Sequence, residues 1–154
     1  MIALGADHGG FELKEAIKKH LDEKGVEYVD CGTYSAESID YAPIAKATCE
    51  KVTSGECEKA ILCCGTGIGI SIAANKVHGV RCALVTNEFM AEMTKMHNDA
   101  NIIALGGRVL EEANRMYERI EWGWYRNPET GYFYMGYDDR ANRGKHFGAW
   151  DMCA

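Results

Sequence analysis

The chain has 154 residues, 47% hydrophobic and 26% charged, the size and balance of one compact domain with little room for a second. Its 17 basic residues against 23 acidic ones give a formal net charge of -6, which argues against a broad electropositive face and against nucleic acid as a partner. No apolar run approaches the roughly 18 residues of a membrane span, and the apolar start at Met1 meets Asp7 with no basic stretch before it, so neither a membrane protein nor a secreted one is expected.

Along the chain, residues 2–6 form an apolar run that ends in Asp7-His8-Gly9-Gly10. Phe11, Leu13, Ala16, Ile17 and Leu21 then recur mostly at helical spacing with Lys and Glu between them, which predicts strand, glycine-rich turn and helix. Lys18, Lys19 and His20 read as a solvated face of that helix. Gly25 suits the helix end, and residues 26–31 read as a second strand closed by Asp30 and Gly32. A helix follows from about Pro43 to residue 53, since proline is accepted in a first turn. Ala60-Ile61-Leu62-Cys63-Cys64 is apolar without alternation, as a strand covered on both faces must be, and it runs straight into Gly65-Thr66-Gly67-Ile68-Gly69. A short helix over 70–76, a strand over 80–85, a helix over 87–97, a strand over 101–105 ending at Gly106-Gly107-Arg108, and a helix over 109–120 complete the pattern. His78 reads as a turn residue. Residues 121–154 change texture: Trp122, Trp124, Tyr125, Tyr132, Phe133, Tyr134, Tyr137, Phe147 and Trp150 stand among glycines and charges without a period. So aromatic a tail is expected to pack on its own domain or on a neighbouring subunit.

Strands alternating with helices at this spacing predict βαβ units and a doubly wound α/β domain with a parallel sheet of about five strands and helices on both faces. In such sheets ligands bind beyond the carboxyl ends of the strands. Three strand ends carry polar or glycine-rich segments, at Asp7–Gly10, Cys64–Gly67 and Gly106–Arg108, and one site assembled from all three is the economical reading. The seven cysteines are an odd set, and adjacent Cys63 and Cys64 on a buried strand suit a reducing cytoplasm better than a disulfide framework.

The segment from Cys64 to Gly69 offers closely spaced N–H groups at a helix start, where a phosphate or a developing oxyanion can sit; a tight strand-to-helix turn would use the same glycines. It matches neither the phosphate loop of nucleotide hydrolases nor the dinucleotide fingerprint. Cys64 precedes this turn, where the positive helix end favours thiolate, so it reads as a nucleophile, a base or a small core residue. Cys63 has the opposite strand parity and reads as structural, while Cys31, Cys49, Cys57, Cys82 and Cys153 show no metal-ligand spacing. His97 ends a helix just before Asn98-Asp99-Ala100-Asn101 and reads equally as a cap or a catalyst. Arg108 suits a phosphate or carboxylate clamp, or a plain surface position.

Asp7-His8-Gly9-Gly10, Asp30-Cys31-Gly32-Thr33-Tyr34, Cys64 to Gly69 with Ser71 to Lys76, and His97-Asn98-Asp99-Ala100-Asn101 together resemble, in order and spacing, the B-type ribose-5-phosphate isomerase family, which also contains galactose-6-phosphate isomerase subunits. The resemblance covers about residues 1–115. It implies a Rossmann-like three-layer α/β/α sandwich that forms homodimers, often paired into tetramers, with active sites shared between subunits. It also implies interconversion of an aldose and a ketose phosphate through an enediolate, with no cofactor and no metal. On that resemblance Cys64 is the base. The N–H groups from Gly65 through Gly67 to Gly69 and the Thr66 hydroxyl form an anion hole. His97 opens the furanose ring, with Asp7 and Thr66 beside the same hydroxyls. His8 and Arg108 contact the phosphate, Tyr41 lies near the sugar, and Asn98 reaches across the dimer. The family's usual arginine-bearing tail is not recognisable here, although Arg140, Arg143, Lys145 and His146 make a basic cluster at a similar distance along the chain. The expectation is a single domain over 1–154, with an isomerase core over 1–120. Its substrate is ribose 5-phosphate, with allose or galactose 6-phosphate, or a sugar-phosphate binding module without turnover, as alternatives.

Overall fold

The structure, a computed structural model, describes residues 1–109. The helix expected over 109–120, the tail over 121–154 and the basic cluster of Arg140, Arg143, Lys145 and His146 lie outside the described residues. The elements run β1 (Ile2–Ala6), α1 (Phe11–Lys24), β2 (Tyr28–Asp30), α2 (Tyr41–Thr53), β3 (Lys59–Cys64), α3 (Ile68–Ala74), β4 (Cys82–Leu84), α4 (Glu88–Asn98) and β5 (Ile102–Gly106). Their strands form one five-stranded sheet in the order β2-β1-β3-β5-β4, with every pair parallel. The doubly wound α/β prediction is therefore observed, and the order in which successive strands are added across the sheet reverses between β1 and β3, where such folds open a crevice.

Strand parity makes the layers. Leu4, Ala6, Ile61, Cys63, Ile103 and Leu105 face Leu13, Ile17 and Leu21 of α1 and Ala91 of α4. Ala3, Ala60, Leu62, Cys64, Ile102 and Ala104 face Ala45 and Cys49 of α2 and Ile70 and Ala74 of α3. Covered on both sides, these strands need no polar alternation, and each fully buried Leu or Ile contributes roughly 1.5–3 kcal/mol. Cys63 and Cys64 thus enter opposite layers, as their parity predicts. No helix among the described residues is long and apolar enough to cross a membrane.

The elements differ from the sequence expectation mainly at their ends, and hydrogen bonds account for three of these differences. β2 is shorter than 26–31 because the Val26 N–H turns back to Leu21 O, closing α1 behind Gly25 in the left-handed conformation. α2 starts at Tyr41, ahead of Pro43, because Asp40 caps it by accepting from the Ala42 N–H at 3.0 Å. β4 loses Val80 to a turn onto Val77 O, although the Val85 N–H still reaches Ala104 O.

Lys18 corrects the solvated-face reading of α1: its Nζ lies 2.9 Å from Asp30 Oδ2 and 3.0 Å from Glu15 Oε1. One turn earlier, Lys14 is completely buried and donates to Asp30 Oδ1 at 2.6 Å, Asp30 Oδ2 at 2.7 Å and the Thr33 carbonyl at 2.7 Å. Desolvation pushes the Asp30 carboxyl up, but hydrogen bonds from Lys14, Lys18 and the Gly32 N–H together outweigh it and hold the group below its ordinary 3.8.

A carboxylate with a lowered folded value contributes stability that is complete above its unfolded value and fades as the pH falls through the folded one. Asp30→Asn is therefore expected to cost roughly 3 kcal/mol at about pH 7, with the difference closing towards about pH 2. Urea midpoints of the two proteins at both pH values check this; a gap equally wide in acid would count against the ion pair as its source.

Candidate active site

Because β1, β3 and β5 are adjacent and parallel, their carboxyl ends deliver three loops to one edge of the sheet. The β3 and β5 loops are joined directly: the Gly107 N–H donates to Cys64 O at 2.8 Å and the Arg108 N–H to Gly65 O at 2.9 Å. The β1 loop is tied in by the Asp7 N–H, which donates to Cys63 O at 3.1 Å. Asp7 is 6% exposed, and its Oδ1 accepts from the Gly9 N–H at 2.8 Å and the Gly10 N–H at 3.1 Å, which fixes the carboxylate within its own turn.

Cys64 is buried at the last position of β3, and the Gly67 N–H donates to its Sγ at 3.0 Å. This contact depends on Gly67 adopting φ +77 as it opens α3, a conformation that L side chains rarely take. Thr66 is exposed and its hydroxyl accepts from the Ile68 N–H at 3.3 Å. Two N–H groups of the turn thus orient Cys64 and Thr66, which refines the simple picture of a row of donors offered to an anion.

Arg108 is exposed and extends back over both neighbouring loops. A Cβ built on Gly65 would lie 3.3 Å from its Cδ, and one built on Gly9 3.3 Å from its Cζ. His8 Nδ1 lies 3.2 Å from the Ile39 N–H, so the imidazole ties the segment before α2 to the β1 loop. Tyr41, the first residue of α2, lays its ring on the first turn of α3: a Cβ at Gly69 would come within 2.8 Å of Tyr41 Cζ and 3.0 Å of its hydroxyl. Gly69 is a seat for this ring.

The structure therefore gathers Asp7, His8, Tyr41, Cys64, Gly65, Thr66, Gly67, Gly69 and Arg108 at one edge. His97 and Asn98 are elsewhere. They end α4, which runs back from the carboxyl end of β4 to the amino end of β5, and the following Asp99 pairs with Arg81, the residue before β4, at 2.8 Å. A five-residue strand such as β5 spans about 16 Å, so both side chains stand at the edge opposite Cys64 of the same chain. Among the described residues, no group of three or more His, Cys, Asp or Glu side chains is placed to hold a metal ion.

A sulfur on the same sheet edge as a carboxylate, an imidazole and a guanidinium belongs to a set of groups suited to moving a proton on an anionic substrate held by an arginine. The family described as Ribose/Galactose Isomerase matches residues 2–126. The chain belongs to that family. It is 48% identical over 109 residues to the ribose-5-phosphate isomerase B of Escherichia coli, covering 71% of this chain and 73% of the relative. The solved structure of Clostridium thermocellum ribose-5-phosphate isomerase B superposes with a TM-score of 0.75 at 49% identity, over 80% of this chain and 82% of that one. A galactose-6-phosphate isomerase subunit LacB of Clostridium acetobutylicum is 43% identical over 109 residues, 71% of this chain and 63% of its own. The protein is an isomerase with a Rossmann-like α/β fold.

Sequence reasoning missed Lys14 and the tie between His8 and Ile39. Lys14 carries a legible signal, since it falls on the apolar stripe with Ile17 and Leu21, where a lysine demands a buried partner. Ile39 contributes backbone atoms alone, so its side-chain identity gives no signal.

Gly69→Ala is expected to keep or raise the thermal midpoint, because Ala exceeds Gly by up to about 1 kcal/mol in a helix. The same variant is expected to lower kcat/KM about tenfold or more by displacing Tyr41. Both quantities measured on one preparation decide it, and unchanged kcat/KM would remove Tyr41 from the site.

Proposed function

We propose that this isomerase interconverts ribose 5-phosphate and ribulose 5-phosphate through an enediolate, with Cys64 as the base that carries the proton between C1 and C2. The observation that carries this reading is Cys64 Sγ, oriented by the Gly67 N–H at 3.0 Å and standing between the Asp7 turn and the loop that bears Arg108. Arg108 and His8 would hold the phosphate, Asp7 and Thr66 the sugar hydroxyls, and Tyr41 the sugar itself. N–H groups of the glycine turn would stabilise the enediolate oxygen, the kind of preorganised donor that usually supplies the largest single term in catalysis. No cofactor or metal is required by this scheme, and residues 1–154 act as one domain in the cytoplasm.

The position of His97 and Asn98 supports a homodimer with shared sites, because only a second copy can bring them to Cys64. Exposed Ile68 at 52% and Ile72 at 55% on α3, with Phe89 at 68% and Met96 at 45% on α4, offer apolar surface for that contact. In the dimer, His97 of one subunit would open the furanose ring of a sugar bound at Cys64 of the other. The similarity to a galactose-6-phosphate isomerase subunit keeps a six-carbon sugar phosphate as the second reading.

In deuterated water the protein is expected to convert ribose 5-phosphate with deuterium entering at C1 of the ribulose 5-phosphate formed and, through the reverse reaction, at C2 of the ribose 5-phosphate pool, and Cys64→Ala to lose roughly 10²–10⁴-fold in turnover, the usual worth of a general base. Full turnover by that variant would remove Cys64 from the role. A substrate panel ranked by kcat/KM separates pentose from hexose phosphate. For the shared site, Cys64→Ala and His97→Ala proteins, each inactive alone, should recover about a quarter of normal activity when dissociated and re-formed together, since mixed dimers keep one intact site. No recovery would place both residues' functions in a single chain.

A further inference from the structure

We propose that Lys14 is a positioning residue of the isomerase: its buried ammonium clasps the turn after β2 and so fixes the end of β1 from which Asp7 and His8 project. Lys14 donates through its ammonium to Asp30 and Thr33, and through its backbone N–H to Gly10 O at 2.9 Å in the Asp7 turn. It is wholly buried, and its ammonium donates to both oxygens of Asp30 at 2.6 and 2.7 Å and to the Thr33 carbonyl at 2.7 Å, with Glu15 Oε1 3.4 Å away. The rings of Tyr34 and Phe11 stand 5.1 and 5.8 Å from the same nitrogen. Each of its three protons therefore has an acceptor, and the aromatic faces screen the cluster from water.

The clasped turn is bonded to the site strand. The Ala6 N–H donates to Gly32 O at 2.7 Å and the Thr33 N–H returns to Ala6 O at 2.6 Å, the last pairings before Asp7. Asp30 holds the near side of this turn by accepting from the Gly32 N–H at 3.0 Å. A continuous path thus runs from Lys14 through Thr33 and Ala6 to Asp7. Buried ion pairs are commonly replaceable by apolar residues without loss of stability, so the worth of a lysine in such a place lies in the geometry it imposes. The far end of the path is the Asp7 carboxylate, held in its turn by the Gly9 and Gly10 N–H groups, whose place the proposed reaction uses.

The inference rests on the isomerase reading, and its test includes an arm that does not. Lys14→Met and the double variant Lys14→Met with Asp30→Asn are compared with the parent protein in thermal midpoint, in kcat and KM, and in hydrogen exchange at the Ala6 and Thr33 amides. Neutralising both partners should restore most of the midpoint lost in the single variant. The Thr33 carbonyl still lacks its donor in the double variant, so kcat/KM should stay at least about tenfold low and both amides should exchange faster. A stable double variant with parental kcat/KM and parental protection at these amides overturns the inference. Failure of both variants to fold overturns it as well, since Lys14 would then serve the whole domain. Parent protein inactive on every sugar phosphate would strike the activity reading alone, and the exchange arm would still decide the role of Lys14.

Discussion

The backbone pairing between the ends of β3 and β5 is the constraint on which the site depends. Two hydrogen bonds, from Gly107 to Cys64 and from Arg108 to Gly65, carry the parallel register past the last ladder pair of Cys64 with Gly106. They place a buried sulfur and an exposed guanidinium on neighbouring loops through backbone bonds alone. β1 sits on the other side of β3 and brings its carboxylate in the same register, Ala6 opposite Cys63. The separation between Cys64 and the backbone that carries Arg108 is therefore set by main-chain geometry, which has fewer soft degrees of freedom than long side chains do.

The fold was legible in the sequence because its signals are local. Uninterrupted apolar strands, glycines after them and apolar spacing along α1 fix the order of elements, and the parity of Cys63 and Cys64 already assigns them to different layers. The residues of the β1, β3 and β5 loops were legible for the same reason, since each follows its strand directly. What sequence could not give was partnership across distance. Asp30 and Thr33 lie sixteen and nineteen residues from the lysine they bind, and the Tyr41 ring meets Gly69 only because α2 and α3 pack side by side. Element ends shifted where a cap or a turn outcompeted the ladder, as at Asp40 and Val26.

His97 shows the limit of reading a motif without topology. The segment from His97 to Asn101 supports the family resemblance, and the structure joins Asp99 to Arg81 and the Asn101 side chain to the Arg81 N–H at 2.9 Å. Those contacts anchor it at the amino edge, because a helix between two parallel strands must return the chain to where the next strand begins. A residue in such a position serves its own chain's site poorly, whatever its chemistry.

The brevity of the sheet's two borders has a consequence for how copies of this chain can meet. β2 and β4 are each three residues long, so a strand laid against either border would gain only a few backbone bonds, and natural sheets use such truncation to discourage edge-to-edge growth. Among the described residues, the surface left for any contact between copies is that of the helices, where side chains would choose the partner. Substitutions on the outward faces of α3 and α4 would change that surface while leaving the strands, and the loops they deliver, untouched.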